Sequence, residues 1–327
     1  MIAALTVIVV ISTINAGGVG AVIENAGEIP GFLEFFGLAA PVVNADGQQL
    51  VEAGKPLFGE ASDYSFLTIC STLAWGLGYF GMPQVLLRFM AIRKEDELKR
   101  SRRIAIVWVV ISLAVAVFIG IVGRQLFPVE HTTKATAENI FITLATSSLP
   151  AILAGFVMAG ILAATISSSD SYLLIAASAF SKNVFQGICK KDATDKQVMW
   201  VSRITLLVLA LIGVVIALDE NSVIFQIVSF AWAGFGATFG PLILFSLFWK
   251  RTNQAGAVAG MVGGAGMVFL WKLVISQLGG VFAIYELLPA FIFSSICIVV
   301  VSLLTKKPSA EIEEDFEAVR CGESVEA

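Results

Sequence analysis

Long apolar runs separated by short polar segments set the pattern of this 327-residue chain. A helix needs about 20 apolar residues to cross the roughly 30 Å hydrocarbon core of a bilayer. The runs that reach this length are residues 1–23, 66–92, 104–126, 149–181, 199–218, 222–249, 255–277 and 284–305. The pattern therefore predicts an all-α integral membrane protein with about eight transmembrane helices. Residues 1–305 would form the helical bundle, and residues 306–327 a polar tail.

Basic residues are distributed unequally between the loops of this eight-span arrangement. On alternate sides, 17 of the 21 Lys and Arg residues fall on one face. The other four are Lys55, Arg124, Lys134 and Lys272. Because loops rich in Lys and Arg stay in the cytoplasm, we predict a multi-pass protein of the cell inner (plasma) membrane with a cytoplasmic C-terminus. A shorter amphipathic stretch, Glu138 to Ser148, is expected to lie at the interface.

Composition agrees with a lipid environment and excludes several classes of function. The chain is 57% hydrophobic and 14% charged, whereas soluble domains are about 45–50% apolar and about 25% charged. A net charge of −4 offers no basic surface for nucleic acid. The single histidine, His131, lies in a polar loop, so we expect no mechanism that needs a histidine base inside a pocket. Because the sequence has no nucleophile–base pair, metal cluster or phosphate loop, we do not expect an enzyme.

The second predicted span contains several residues that disfavour a continuous helix. Its centre reads Trp75-Gly-Leu-Gly-Tyr-Phe-Gly-Met-Pro83. Glycine lowers helix preference and proline removes a backbone donor, so we predict an interruption around Gly78, as is typical of secondary transporters. Trp75 and Tyr79 lie four residues apart on one face, where they would stack on a small substrate. The alternative is a proline kink whose aromatic side chains pack on neighbouring helices.

The fourth predicted span carries a polar cluster between Ala163 and Ser171, with the sequence AATISSSDS. Positions 164, 167 and 168 share one helical face. Their hydroxyl and carbonyl oxygens suit a small, hard, monovalent cation that must also be released. The alternative is that the serines bond back to the carbonyl four residues earlier or to other helices.

Asp170 is the only acidic residue deep within a predicted span. A carboxylate at mid-bilayer costs about 2.5–3.5 kcal/mol on insertion scales, so it must face water, a partner or a cation. Asp170 is therefore an ion ligand, a proton acceptor, or a hydrogen-bond acceptor for Ser167 or Ser171. We favour the last role, or a place in a cytoplasmic vestibule, because Asp170 is rotated away from residues 164 and 168.

The sixth predicted span contains closely spaced small residues. It reads Ser229-Phe-Ala-Trp-Ala-Gly-Phe-Gly-Ala-Thr-Phe-Gly-Pro241. Without a preceding strand this run does not form a dinucleotide-binding loop. Small residues at this spacing instead let helices approach closely. We interpret the run as a packing surface. Pro241 is expected to bend the helix, and the alternative to packing alone is that this bend serves as a gate.

Together these motifs resemble the sodium/solute symporter family, and most closely its sodium/proline symporters. Residues 75–83 and the following segment 86–91 resemble the family's broken substrate helix. Gly160 to Ser168 resembles its cation helix, with serine in place of threonine at 168. The runs 231–241 and 285–293 are similar nearly residue for residue. The resemblance covers essentially the whole chain.

The resemblance implies a partial LeuT-type inverted-repeat fold and sodium-coupled symport of L-proline by alternating access. By motif position, the sodium (Na+) ligands fall on Ala164, Ser167 and Ser168. The proline-site residues fall on Trp75, Tyr79 and Pro83. Met82 and Gln84 replace the family's common glutamine and histidine, which leaves open another solute such as another amino acid, pantothenate or a sugar.

The resemblance covers only the C-terminal part of a family member. It implies that an N-terminal half is missing, including the other broken helix and the remaining sodium ligands. A truncated fragment that does not transport is therefore a further alternative.

Overall fold

A computed structural model of the chain describes residues 2–219 and 223–321. Its α-helices are α1 (Ile2–Asn15), α2 (Val19–Gly27), α3 (Phe66–Leu73), α4 (Pro83–Met90), α5 (Glu95–Leu126), α6 (Lys134–Ala137), α7 (Ile140–Ser148), α8 (Ala151–Ala179), α9 (Asp195–Ala217), α10 (Ile224–Phe248), α11 (Gln254–Leu270), α12 (Leu287–Leu304) and α13 (Ala310–Cys321). Two-residue strands pair antiparallel in the loop after α2: β1 (Gly37–Leu38) with β4 (Ser62–Asp63), and β2 (Val51–Glu52) with β3 (Lys55–Pro56). Helices therefore dominate the fold, as the apolar runs predicted.

Six helical segments within the described residues are long and apolar enough to cross a membrane. They are Asp96–Leu126, Ala151–Cys189, Asp195–Ala217, Ile224–Phe248, Gln254–Leu278 and Leu287–Leu304. At most 28% of the most apolar stretch of any of them is buried inside the chain. Such a large exposed apolar surface requires lipid around it. The chain is therefore an all-α, multi-pass membrane protein, and this part of the sequence prediction is confirmed.

The other two predicted spans are not single straight helices. In the first, α1 and α2 meet at 77°. Gly17 and Gly18 form this bend with φ angles of +88° and +95°, a left-handed backbone that glycine adopts without a steric penalty. In the second, α3 continues into a 3₁₀ segment (Ala74–Gly81) and α4 starts afterwards. The eight predicted spans thus comprise six long helices, one bent pair and one interrupted helix.

The chain divides by its contacts into two compact units that we describe separately. Unit one contains the described residues of Met1–Asp63 and Glu95–Ile224, and unit two those of Tyr64–Lys94 and Phe225–Ala327. Each unit is discontinuous in sequence, so no single linker separates them. The predicted division into a bundle (1–305) and a tail (306–327), and the inverted-repeat relation, stay predictions.

Unit one is built around helices α1, α5, α7 and α8. Its buried core consists of Ile8, Ile119, Leu144, Ala145, Leu149, Ala154 and Val157. α7 belongs to the amphipathic stretch that we expected at the membrane interface. Its nine residues rise only about 13 Å, too little to cross a bilayer, and Leu144 and Ala145 on it are fully buried. The helix therefore contributes to the core, and its place relative to the membrane stays a prediction.

Unit two packs α10, α11 and α12 with the interrupted helix. Its buried core consists of Ala233, Ala237, Val268, Leu287, Ala290 and Phe291. Gly236 and Gly240 of α10 bring the backbones together: a Cβ at Gly236 would lie 2.7 Å from the Cα of Gly78, and one at Gly240 would lie 2.7 Å from Phe291. The predicted close packing is therefore present. α10 runs as one helix through Pro241, and the predicted bend and gate stay predictions.

Candidate functional site

The candidate substrate site starts where the helix over residues 66–90 is interrupted. The 3₁₀ segment Ala74–Gly81 ends at Met82, which is extended with φ −84° and ψ 115°. Pro83 then occupies the first position of α4, where proline is favoured because its missing N–H would have no helical partner. The predicted interruption is confirmed: the α-helix ends at Leu73, the 3₁₀ segment includes Gly78, and the backbone becomes extended at Met82. Pro83 starts a helix, so the alternative of a proline kink is not what the structure shows.

Two glycines let the 3₁₀ segment lie directly on α10. A Cβ added at Gly78 would overlap the indole of Trp232, and one added at Gly81 would overlap the backbone of Phe235. At Gly76 an added Cβ would meet no atom within 4 Å. Gly78 and Gly81 are therefore needed for close contact, in addition to weakening the helix.

Aromatic rings surround Trp75 in unit two. The rings nearly parallel to it are Phe225 at 5.4 Å and 9°, Trp232 at 5.6 Å and 13°, and Tyr285 at 5.6 Å and 19°. Tyr79 contacts Trp232 edge to face at 4.7 Å. Trp75 therefore packs on neighbouring side chains, the alternative that the sequence left open. Tyr79 remains 51% exposed, so part of its ring is available to a ligand.

Hydrogen bonds to the backbone fix these rings. Trp232 Nε1 donates to the Trp75 carbonyl at 3.0 Å. The Tyr285 hydroxyl donates to the Ser229 carbonyl at 2.7 Å, and the Tyr285 backbone N–H donates to Ser71 Oγ at 2.8 Å. The aromatic cluster thus joins the interrupted helix, α10 and the start of α12. These bonds give the polar atoms of the partly buried rings partners and fix the ring orientation.

A buried carboxylate stands next to Tyr285. The Glu286 side chain is only 5% exposed, and its Oε1 lies 3.7 Å from Nζ of Lys272, whose side chain is 44% exposed. In the part of the chain that the structure describes, this oxygen accepts no hydrogen bond. Because a buried charge without its partner is strongly disfavoured, the ion pair anchors the start of α12 to the segment that follows α11.

Sequence reasoning missed several members of this site. Trp232 and Tyr285 belong to motifs that we interpreted only as packing or resemblance, and Phe225, Lys272 and Glu286 were given no role. The sequence did contain a sign of the ion pair. Glu286 is an acid near the start of one apolar run, and Lys272 is a lysine near the end of the run before it. The partners themselves are up to 214 residues apart, so no local pattern joins them.

The predicted cation ligands lie on α8 in unit one. α8 is continuous over Ala151–Ala179, so Ala164, Ser167 and Ser168 do share a face. Ala164 is partly buried, and both serines are exposed. Within the described chain, neither serine hydroxyl takes part in a hydrogen bond, so neither bonds back to the helix as the alternative proposed.

The neighbours of these serines are also placed by α8. Ser171 Oγ donates to the Ser167 carbonyl at 3.2 Å, and Thr165 Oγ1 donates to the Ile161 carbonyl at 3.0 Å. Asp170 is exposed and, as far as the described residues go, forms no ion pair. The structure thus groups Trp75, Tyr79 and Pro83 within unit two, and the cation candidates along α8 in unit one. The roles of all these residues stay predictions.

Comparison with known proteins agrees with this arrangement of motifs. Residues 1–264 match the sequence model of the sodium:solute symporter family. A sodium/proline symporter of Haemophilus influenzae is 40% identical over 283 residues, which cover 85% of this chain and 54% of that protein. One of Staphylococcus aureus is 40% identical over 262 residues, 78% of this chain and 51% of that protein.

These matches have two consequences. The chain spans about half the length of the curated relatives it matches. The resemblance inferred from the motifs at 75–83, 160–168 and 231–241 is confirmed over most of the chain. The chain belongs to the sodium:solute symporter family.

Proposed function

We propose that this chain takes part in sodium-coupled symport of L-proline across the cytoplasmic membrane. The observation that carries the proposal is the helix interrupted at Met82 beside an aromatic cluster, in a chain 40% identical to sodium/proline symporters. Interrupted helices within the membrane expose backbone groups that bind charged solutes and ions in secondary transporters.

The substrate binds, in this proposal, between the exposed ring of Tyr79 and the start of α4. L-Proline has an apolar ring with a cationic amine and a carboxylate. An aromatic face attracts a cationic amine, and the N-terminus of a helix carries a partial positive charge that favours a carboxylate. Tyr79 therefore contacts the ring and the amine of proline, and Pro83 sets the start of α4. Trp75 holds Trp232 and Tyr285 in place by stacking on them.

Sodium is the proposed coupling ion, held by the Ala164 carbonyl and the hydroxyls of Ser167 and Ser168. Support comes from two hydroxyls on one face of an apolar helix that form no hydrogen bond with any described residue, since polar groups at membrane depth face water, protein or an ion. Ser171 and Asp170 are proposed to support this face through the Ser167 carbonyl and through water. Symport then requires that sodium and proline favour the same conformation.

Uptake of labelled L-proline into proteoliposomes containing the purified protein tests this function. We expect accumulation that depends on an inward sodium gradient and that is lost when choline replaces sodium. Ser168→Ala should raise the sodium concentration needed for half-maximal uptake by about tenfold or more, because one oxygen ligand is lost. Ser169→Ala, next to it but off the shared face, is the matched control.

Two results would contradict the proposal. Uptake that persists in choline would remove sodium as the coupling ion. Stronger inhibition of uptake by another amino acid, pantothenate or a sugar than by proline itself would reassign the substrate while keeping the sodium site.

A further inference from the structure

A cavity of about 210 Å³ lies in unit one, where α5 ends. Its walls come from the loop around β2 and β3, the C-terminal turns of α5, and the segment that leads into α6 and α7. The lining residues used below are Gln49, Phe58, Arg124, Phe127, Pro128 and His131. The backbone N–H of Gln49 donates to the Thr132 carbonyl at 2.8 Å, and this long-range bond holds two of the walls together.

Arg124 brings a positive charge to this cavity. Its Nη1 donates to the carbonyl and to Oδ1 of Asn25 at 3.2 and 3.0 Å, and its Cζ lies 5.2 Å from the ring centroid of Phe58. Its Nε is buried and has no hydrogen-bond partner in the described chain. No described carboxylate lies within 4.0 Å of it, and the neighbouring Glu28 is bound by Lys55 at 2.8 Å. A guanidinium stays protonated, and among the described carboxylates Glu28 acts on this charge only from a distance, since it is already bound to Lys55.

His131 lines the same cavity and brings two ring nitrogens, Nδ1 and Nε2, to it. Both ring nitrogens are buried, and neither has a hydrogen-bond partner among the described residues. Buried polar atoms in proteins are nearly always paired, with protein, water or a ligand. His131 lies in the loop between α5 and α6, as the sequence predicted. This loop forms one wall of the cavity, so the imidazole lines it, which the sequence did not indicate.

We propose that this cavity binds a small organic carboxylate. The donors are the Nε–H of Arg124 and a ring N–H of His131, and Phe58, Phe127 and Pro128 surround the apolar part of the ligand. Guanidinium and carboxylate are matched in shape and charge. A single guanidinium with no described carboxylate in direct contact fits a monovalent anion better than a phosphate. The same chemistry describes a free monocarboxylic acid and the α-carboxylate of an amino acid.

Propionate binding to the purified full chain in detergent micelles tests the site, measured by saturation-transfer NMR. We expect saturable binding that weakens about tenfold in His131→Ala and in Arg124→Gln, the loss expected for one charge-assisted hydrogen bond. Arg203→Gln is the matched control, because Arg203 also lies over an aromatic ring, that of Trp200, but does not line the cavity. It should bind propionate as the unaltered chain does.

Competition identifies the source of the carboxylate. If L-proline displaces propionate, and if its own binding is weakened by His131→Ala as that of propionate is, the site is assigned to an amino acid. If L-proline leaves propionate binding unchanged, the site is assigned to a free monocarboxylate. Arg124→Gln also breaks the bonds to Asn25, whereas His131→Ala breaks no described hydrogen bond and so tests the site without that complication. The proposal is overturned if propionate binds to His131→Ala as tightly as to the unaltered chain. It is also overturned if chloride displaces propionate as well as acetate, another small carboxylate, does.

Discussion

Lys272 and Glu286 form an ion pair in which only the lysine reaches solvent. The desolvated carboxylate depends on the lysine for its compensating charge, while the lysine can be solvated without it. The two residues should therefore respond differently to substitution. Lys250 and Glu317 form a second pair in unit two, at 3.2 Å, in which both side chains are at least 44% exposed.

We predict that Lys272→Met lowers the free energy of unfolding by about 3–5 kcal/mol, because it leaves Glu286 buried and unpaired. Glu286→Gln should cost less, and the double variant should recover much of the loss. Lys250→Met, as the control for an exposed pair, should change stability by about 1 kcal/mol or less. Denaturant unfolding in micelles measures all four variants. Equal losses in Lys272→Met and Glu286→Gln would contradict the assignment of a buried charge.

Single residues also mark the limit of what the sequence predicts. Trp75 and Tyr79 were placed on one face from their four-residue spacing, which holds for an α-helix. They lie in a 3₁₀ segment, where residues three apart share a face, and each contacts Trp232. That Trp75 is covered by Trp232 and Tyr285 depends on contacts between distant segments, which local spacing does not encode. The same holds for His131, whose polar neighbours in sequence gave no sign of the cavity that the fold builds around it.

Among the elements, the interrupted helix was the most predictable part of the site. Three glycines and a proline within nine residues disfavour a continuous helix whatever surrounds them. The place of Pro83 in the break was not predictable in the same way. Proline is common both shortly after a helix and at the first position of one, and here it takes the first position of α4.

We predict that Gly78→Ala destabilises unit two by about 1–3 kcal/mol, the usual cost of overpacking, because the new methyl group would displace the indole of Trp232. If the chain binds proline as proposed, the affinity for proline should fall as well, since Trp232 contacts Tyr79. Gly76→Ala in the same 3₁₀ segment is the matched control and should have little effect. Thermal unfolding and proline binding by the purified protein test both variants. Equal effects at the two positions would argue against the close contact.

On the scale of the whole chain, the apolar runs predicted the class of protein and most of its spans. They did so because lipid imposes one length and one polarity on every helix that crosses it. They could not predict the 77° bend between α1 and α2, which depends on two glycines in an otherwise apolar run. Nor could they predict two units that each combine distant segments.

Membrane orientation is testable with one native and one introduced cysteine. Cys189 is exposed and precedes Lys190 and Lys191, so the unequal basic charge predicts that it faces the cytoplasm. In a variant in which Cys70, Cys297 and Cys321 are replaced by serine, a membrane-impermeant maleimide should label Cys189 only in inside-out vesicles. With Cys189 also replaced, Glu52→Cys in the loop of β2 should be labelled only from outside. The reverse pattern would invert the predicted topology, including the cytoplasmic C-terminus.

The single extended residue between the 3₁₀ segment and α4 has a mechanical consequence. On one side of Met82 the backbone is clamped to α10 by glycine contacts; on the other side, α4 forms an arm of eight residues, about 12 Å long. Rotation about the Met82 backbone would turn this arm as one body, because the Met82 carbonyl moves with α4 and keeps its bonds from the N–H groups of Val85 and Leu86. The displacement would be largest at Met90, the far end of the arm, so a small rotation beside the aromatic rings would be magnified there.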